Sequence, residues 1–270
     1  MKRILVPTDF SPNASKALNY AVQLARAAKA DITLIHAVEA YQQQEAMAAA
    51  KEKLELLRKS IAETEAVRIH TEVFADSSVN SILDAIEKFR PHLVVMGTMG
   101  SSGMKEKIYG SRTGLVIGKS PVPVLAIPLL SNWKVPGKIL LAVNKFNVPD
   151  RILKPVITIA ALFASSIQVT VFTDTDDDYV EDFGEHEKKI AAFRDSLKEK
   201  YPGTEIHAVH LAGRRFRESL QNWIDSNQIE MLVMLTHKRT LIGSIFNSSM
   251  TKKMSYHTNI PLLAIPDNGW

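Results

Sequence analysis

Glycines 97, 100 and 110 stand at fixed offsets after an apolar run, in the segment GTMGSSGMKEKIYGS. Gly97 and Gly100 have no Cβ and can adopt positive φ, so the backbone there can approach a ligand closely. Gly110 opens a predicted helix, whose unsatisfied N–H groups attract anions. The hydroxyl donors Ser111 and Thr113 and the positively charged Arg112 follow. This pattern is typical of a phosphate-binding loop.

A carboxylate at the end of the first apolar run could complete such a site. The run Arg3–Val6 ends at Pro7, and Thr8 and Asp9 follow it. Asp9 has no evident structural partner in the sequence. It could accept hydrogen bonds from the ribose hydroxyls or the adenine of a nucleotide.

Strands and helices must position these two segments. Arg3–Val6 precedes a predicted helix with Ser11 as its N-cap and Pro12 at its first position. Further strands are predicted at DITLIHAV, RIHTEVF, HLVVMG and VPVLAIP, with helices at QEAMAAAKEKLELLRKSIAE, at Ser78–Phe89 and from Gly110. Strands separated by helices imply parallel crossovers, and ligands bind at the carboxyl ends of such strands where the winding reverses. We therefore expect the residues that leave the first and fourth strands to meet.

The same order of elements occurs twice along the chain. KRILVPTDF is echoed by KILLAVNKF, LVVMGT by MLVMLT and PVLAIP by PLLAIP, and the stretch LLSNWKVPGK is typical of a linker. We expect a domain with the nucleotide site at residues 1–130 and a second domain at 137–270. The predicted fold class is α/β, with two tandem doubly wound five-stranded parallel sheets and helices on both faces.

Three segments of the first half together resemble the ATP-binding branch of the universal stress protein family. They are VPTDFSPNASKAL, the spacing Gly-x2-Gly-x9-Gly-Ser and SPVPVLAIP. The resemblance extends to both halves. In single-domain members the last strand pairs two protomers, which implies that VPVLAIP and IPLLAIP pair within this chain as an intramolecular pseudo-dimer. A homodimer and an unknown protein partner stay open.

The resemblance implies an adenine nucleotide, with ATP as the expected cofactor, with or without Mg²⁺. AMP, ADP and a cyclic nucleotide stay open as alternatives. The implied contacts are Pro7, Thr8 and Asp9 at the nucleotide, Ala37 along the adenine, Met96 at the pocket border, Gly97 and Gly100 beside the sugar and phosphates, and Gly110, Ser111, Arg112 and Thr113 at the phosphates.

The second half departs from the pattern at each of these places. Pro7, Thr8 and Asp9 correspond to Ala142, Val143 and Asn144, while Gly97, Gly100 and Gly110 correspond to Leu235, Lys238 and Ser248, and Ser249 alone remains. Leucine disfavours positive φ, and its side chain would fill the space of a ligand. We expect the second half to be a degenerate copy without ATP.

Composition excludes several classes of protein. The chain has 270 residues, a net charge of +4 and no cysteine, so disulfides and thiolate metal sites are absent. Its basic residues are interleaved with acids, which argues against nucleic-acid binding. No signal peptide or membrane-spanning run is evident, and we expect a soluble cytoplasmic protein.

Other motifs have plainer interpretations. The GKS at Gly118–Ser120 lies late in a predicted helix, unlike a Walker loop. The acidic run 174–185 lacks the glycine of a calcium loop. His207 and His210 are three residues apart on a predicted strand, so they face opposite sides, and His36 is expected to be a packed or hydrogen-bonded residue. We expect no metal site.

Three functions are compatible with these residues. The favoured one is an ATP-binding regulatory module whose bound state a partner recognises. The alternatives are a slow ATP hydrolase and an interaction scaffold that works without nucleotide. Near the glycine loop only Asp9 and Glu106 are acidic, and no conventional catalytic motif for phosphoryl transfer is present. We therefore expect no dedicated catalytic residue.

Overall fold

The apolar runs of the sequence form strands and the amphipathic segments form helices, in two units of similar size, Met1–Trp133 and Lys134–Trp270. The structure is a computed structural model that describes residues 1–39, 44–98, 112–143, 146, 148–174, 182–237 and 258–267. Within these ranges, no helix is long and apolar enough to cross a membrane.

The first unit alternates strands and helices along its whole length. Its elements are β1 (Arg3–Pro7), α1 (Pro12–Ala28), β2 (Asp31–Val38), α2 (Gln44–Thr64), β3 (Ile69–Ala75), α3 (Ser78–Phe89), β4 (Leu93–Gly97), α4 (Arg112–Lys119) and β5 (Val124–Ile127). The predicted strands, the Ser78–Phe89 helix and the placement of GKS at the end of a helix are thereby confirmed. Gly110, the predicted start of α4, lies outside the described residues.

The sheet of the first unit is parallel throughout, in the order β3-β2-β1-β4-β5. The chain first moves from β1 towards β3 and then returns to the other side of β1. Because right-handed crossovers in opposite directions place their helices on opposite faces, α1 and α2 cover one face, while α3 and α4 pack together on the other. The prediction of a doubly wound sheet is confirmed.

The second unit repeats this arrangement. Its described elements are β6 (Lys138–Ala142), α5 (Asp150–Phe163), β7 (Ser166–Asp174), α6 (Asp182–Lys200), β8 (Ile206–Gly213), α7 (Phe216–Asn227), β9 (Met231–His237) and β10 (Leu262–Asp267). The strands are parallel in the order β8-β7-β6-β9-β10. The predicted pairing of the two halves stays a prediction.

The cores lie between sheet and helices. The central strands are buried on both faces, as their apolar sequences predict: Ile4, Leu5 and Val94 have no exposed surface in the first unit. Small residues let α1 lie close to the sheet, because Ala17, Ala21 and Ala25 are buried at helical spacing.

Helix α1 also holds the segment that follows β5. The Tyr20 hydroxyl is hydrogen-bonded to Ser131 Oγ over 2.7 Å and to the Asn132 carbonyl, and Trp133 packs edge-on against the Tyr20 ring. Lys16 Nζ donates to Asn132 Oδ1 over 2.9 Å. The first residues of the predicted linker therefore belong to the first unit.

Ser11 starts α1 as predicted. Its Oγ accepts a hydrogen bond from Ala14 N, and Pro12 occupies the first turn, where a missing N–H costs nothing. We expect Ser11→Ala to lower the free energy of unfolding of the first unit by about 1 kcal/mol, since a helix N–H loses its acceptor. Urea denaturation followed by circular dichroism measures this change.

Ser15→Ala is the matched control, because exposed Ser15 lies in the same helix, where its hydroxyl bonds only to the Ser11 carbonyl. Alanine has the higher helix propensity, so we expect no loss there. Equal losses in the two variants would contradict the capping role of Ser11.

Candidate functional site

The carboxyl ends of β1 and β4 are neighbours in the first unit. β1 pairs with β2 on one side and with β4 on the other, with Ile4 opposite Leu93 and Leu5 opposite Val94. The winding reverses at this place, where an open α/β sheet has its ligand crevice. The first and fourth strands are thus neighbours in the sheet, while the predicted meeting of the residues that leave them stays a prediction, because Gly100 lies outside the described residues.

Side chains bind the backbone through the turn that follows β1. Thr8 Oγ1 accepts a hydrogen bond from Phe10 N over 3.0 Å, and Asp9 Oδ1 accepts one from Ser11 N over 3.1 Å. The expectation that Asp9 lacks a structural partner is therefore wrong. Because one oxygen is bound to the turn, the half-buried carboxylate is held in one orientation at the sheet edge.

Phe10 adopts a conformation that few residues with a Cβ adopt. Of the five described non-glycine residues with positive φ, four end helices, and the fifth is Phe10, with a φ of 60°. Its ring packs against His36, with 4.6 Å between ring centroids, and Lys53 Nζ lies 5.6 Å from the Phe10 centroid. Strain of this kind persists only where surrounding contacts hold it.

His36 supports the same turn from β2. Its Nδ1 is 2.7 Å from the Thr8 carbonyl oxygen, and Thr8 N donates to the carbonyl of Ile35 over 2.8 Å. His36 is thus a hydrogen-bonded structural residue, as expected. The turn after β1 is fixed by both its own side chains and those of the neighbouring strand.

The two other predicted adenine-side residues lie on strands that end at this edge. Met96 is buried in β4 with 5% of its surface exposed, and half-buried Ala37 stands opposite Phe74 near the end of β2. Pro7, the last residue of β1, is opposite Ile35. Their contacts with a nucleotide stay predictions.

Packing requires glycine at position 97, and the expected close approach of its backbone to a ligand stays a prediction. Its φ does not lie in the left-handed region. A Cβ added to Gly97 would lie 2.6 Å from Asn13 Oδ1 and 2.7 Å from Asn13 Cγ, distances that real Cβ atoms essentially never show. The end of β4 therefore needs glycine because α1 packs against it.

Thr113 holds the opposite side of the same peptide. It is 2% exposed, and its hydroxyl donates to the Gly97 carbonyl over 2.7 Å, which joins α4 to the end of β4. Exposed Arg112 is the first residue of α4. Gly100, Gly110 and Ser111 lie outside the described residues.

Sequence reasoning missed Asn13. Its side chain is 2% exposed, and its Nδ2 donates to the carbonyl of Ile127, the last residue of β5, over 3.1 Å. The only sequence signal was an amide residue in the first turn of an otherwise apolar helix face. Nothing in the spacing indicated that it meets residues 97 and 127.

The second unit has apolar residues at the equivalent edge. Ala142, Val143 and Leu235 are buried, and Val143 N donates to Thr170 just as Thr8 N donates to Ile35. α5 begins about one helical turn later after its strand than α1 does, and its cap, Pro149, makes no side-chain hydrogen bond. Asn144, Lys238, Ser248 and Ser249 lie outside the described residues.

A different polar cluster lies beside β7 and β8. Thr173 Oγ1 is 2.9 Å from His186 Nδ1 on α6 and 2.8 Å from His210 Nε2 on β8. Phe146 packs against the His186 ring. His207 is instead exposed and bonds to Glu205, so the expected separation of His207 from His210 is confirmed. In the described parts of the chain, no three His, Asp or Glu residues form a metal-binding group.

Comparisons with known proteins give a consistent result. The family model described as the universal stress protein family matches residues 1–128 and 137–266. A universal stress protein of Methanocaldococcus jannaschii is 31% identical over 138 residues, which are 47% of this chain and 81% of that relative.

Several solved structures match nearly the whole chain. A universal stress protein from Archaeoglobus fulgidus DSM 4304 covers 98% of each chain with a TM-score of 0.72 and 18% identity. A functionally unknown protein from Pseudomonas aeruginosa PAO1 covers 98% of this chain and 92% of that chain, with a TM-score of 0.66 and 16% identity. At such identities the likeness concerns the fold.

The histidine cluster makes the stability of the second unit depend on pH. Burial and the nearby His186 lower the pKa of His210 from its ordinary value of 6.5, while Glu187 acts in the opposite direction. The unfolded chain then binds more protons than the folded chain, so the free energy of unfolding falls as pH decreases below about 6.5. We expect His210→Gln to reduce this dependence, measured by urea denaturation between pH 5 and 7.5.

His207→Gln provides the control, since it removes an exposed histidine from the same strand. It should change the pH dependence less than His210→Gln does. The cluster would have no such role if both variants changed the dependence equally.

Proposed function

The chain belongs to the universal stress protein family, and we propose that its first unit binds ATP at the carboxyl ends of β1 and β4 to serve as a regulatory module. The observation that supports this most is the turn after β1. There Asp9 is held in a fixed orientation at the point where the winding reverses. A carboxylate placed there can accept hydrogen bonds from ribose hydroxyls or from the adenine amino group.

The phosphates would bind at the start of α4. Arg112 is exposed at the first described residue of this helix, and the N-terminal end of a helix favours negative charge. In the sequence, Gly100, Gly110 and Ser111 precede it at the spacing of the family's nucleotide loop. Backbone N–H groups, Ser111 and Arg112 are the proposed donors.

Thr113 has a positional role in this proposal. Its hydroxyl hydrogen is used by the Gly97 carbonyl, so a phosphate contact would require that bond to break. We expect ATP to bring Mg²⁺ with it, because this ion keeps several waters and binds largely through nucleotide phosphates. AMP, ADP and a cyclic nucleotide would make the same adenosine contacts as ATP, and only their phosphate contacts at α4 would differ.

The second unit is proposed not to bind ATP. Val143 replaces a hydroxyl side chain with an apolar one, and buried Leu235 stands where the first unit has glycine. The helix that follows β6 also begins later and lacks a serine cap. One bound nucleotide per chain is the expected stoichiometry.

The first experiment measures the nucleotide bound by the full chain. We expect freshly purified protein to release about one ATP per chain on denaturation, identified by chromatography and mass spectrometry, because tight ligands remain bound through purification. Gly110→Val should abolish binding, since a branched side chain would block the backbone that approaches the phosphates.

Ser248→Val is the matched control, because residue 248 is the second-half counterpart of residue 110. It should leave the stoichiometry unchanged. ADP or AMP in place of ATP would favour slow hydrolysis. No released nucleotide and no binding on titration would contradict the proposal and favour an interaction scaffold.

Asp9 is tested without disturbing its turn. Asp9→Asn keeps an oxygen that can accept from Ser11 N but removes the negative charge, so it isolates the proposed contact with the nucleoside. We expect weaker binding of ATP and adenosine, by about tenfold for the loss of a charged hydrogen bond, with little change for tripolyphosphate. Calorimetric titration measures all three, and an equal loss for tripolyphosphate would refute this role.

A further inference from the structure

We infer that Asn13 is a positioning residue of the nucleotide site, and that residue 97 is glycine because the Asn13 side chain occupies the space of a Cβ. The steric part of this inference depends only on the contacts of the first unit. The effect on nucleotide affinity rests on the function proposed above.

The Asn13 amide is held on both of its sides. Nδ2 donates to the Ile127 carbonyl over 3.1 Å, and Oδ1 lies towards the Cα of Gly97. With 2% of the residue exposed, the side chain has no room to move aside into solvent. A buried amide that is hydrogen-bonded cannot rotate without leaving a polar group unsatisfied.

The peptide of Gly97 is therefore in contact with two helices. Asn13 on α1 contacts it on one side, and Thr113 on α4 donates to its carbonyl on the other. Thr98 N donates to the Ile127 carbonyl, the same oxygen that accepts from Asn13. These bonds fix the direction in which the chain leaves β4, which is where the proposed phosphate loop begins.

Glycine at position 97 could be required either by a ligand or by the Asn13 side chain, and these two explanations make different predictions. In the first case, where a ligand requires glycine, shortening the side chain of residue 13 does not relieve the effect of a side chain at position 97. In the second case it creates space for that side chain.

A double-mutant cycle decides between these cases. We expect Gly97→Ala to weaken ATP binding about tenfold, because the methyl group displaces Asn13 and turns the chain after β4. Asn13→Ala alone should weaken it less. The double variant should bind ATP at least about threefold more tightly than Gly97→Ala, the lower range of coupling for residues in contact.

Rescue should be partial, because the Asn13 backbone oxygen would still lie 3.0 Å from the new Cβ. The affinity for adenosine serves as a second readout. Since the chain direction after Gly97 affects the phosphate side, Asn13→Ala should weaken ATP binding more than adenosine binding. A double variant that binds no better than Gly97→Ala would overturn the inference.

Tyr20→Phe is the matched control. Tyr20 is also on α1 and 2% exposed, and its hydroxyl bonds to Ser131 and Asn132 rather than to the end of β4. We expect it to lower the melting temperature without changing ATP affinity and without coupling to Gly97→Ala. If Tyr20→Phe coupled to Gly97→Ala as strongly as Asn13→Ala does, the coupling would reflect a general weakening of α1. That result would overturn the positioning role of Asn13.

The melting temperature separates the two proposals. If the native chain binds no nucleotide, the proposed function fails, but the steric pair is still tested by unfolding. The double variant should then melt at a higher temperature than Gly97→Ala, because the overlap with Asn13 is relieved. Additive losses of stability would overturn the inference on their own.

Discussion

The pairing of β1 with both β2 and β4 is the constraint on which the first unit depends. From β1 the chain moves first to β2 and β3 and then returns to β4 on the other side of β1, so α1 covers one face of the sheet and α4 covers the other. The winding of the sheet reverses at this place. Backbone groups that lose their ladder partners here need other partners, and the polar residues of the turn after β1 supply them.

Close packing at the end of β4 is the second consequence. α1 starts next to this edge, so a side chain in its first turn must either fill the space beside residue 97 or leave a cavity. Asn13 fills it, and the amide also binds the end of β5. The same contact that stabilises the unit thus also fixes the backbone at the end of β4. Stability and the geometry of the site are linked through one buried side chain.

The second unit shows that the same strand order can carry polar residues at a different place. Its strands have the same order, and the described residues at the equivalent edge, Ala142, Val143 and Leu235, are apolar and buried. Its polar cluster lies instead between β7, β8 and α6, where a threonine hydroxyl bonds to two histidines. Because backbone ladders hold the sheet together, residues at the strand ends can change while the strand order remains. Conservation of topology between the units is therefore separate from conservation of a site.

The sequence by itself determined the strands, the helices and their parallel winding, because hydrophobic periodicity and capping residues are local signals. The Ser11 cap, the Ser78–Phe89 helix and the meeting of β1 with β4 were all predictable in this way. The partner of Asp9, the reason for Gly97 and the cluster of Thr173, His186 and His210 were not. These depend on distances between residues that are far apart in sequence or on the exact course of a turn. Only tertiary packing brings Asn13 within contact of residues 97 and 127, so only the tertiary structure decided which polar groups the packing of the first unit uses.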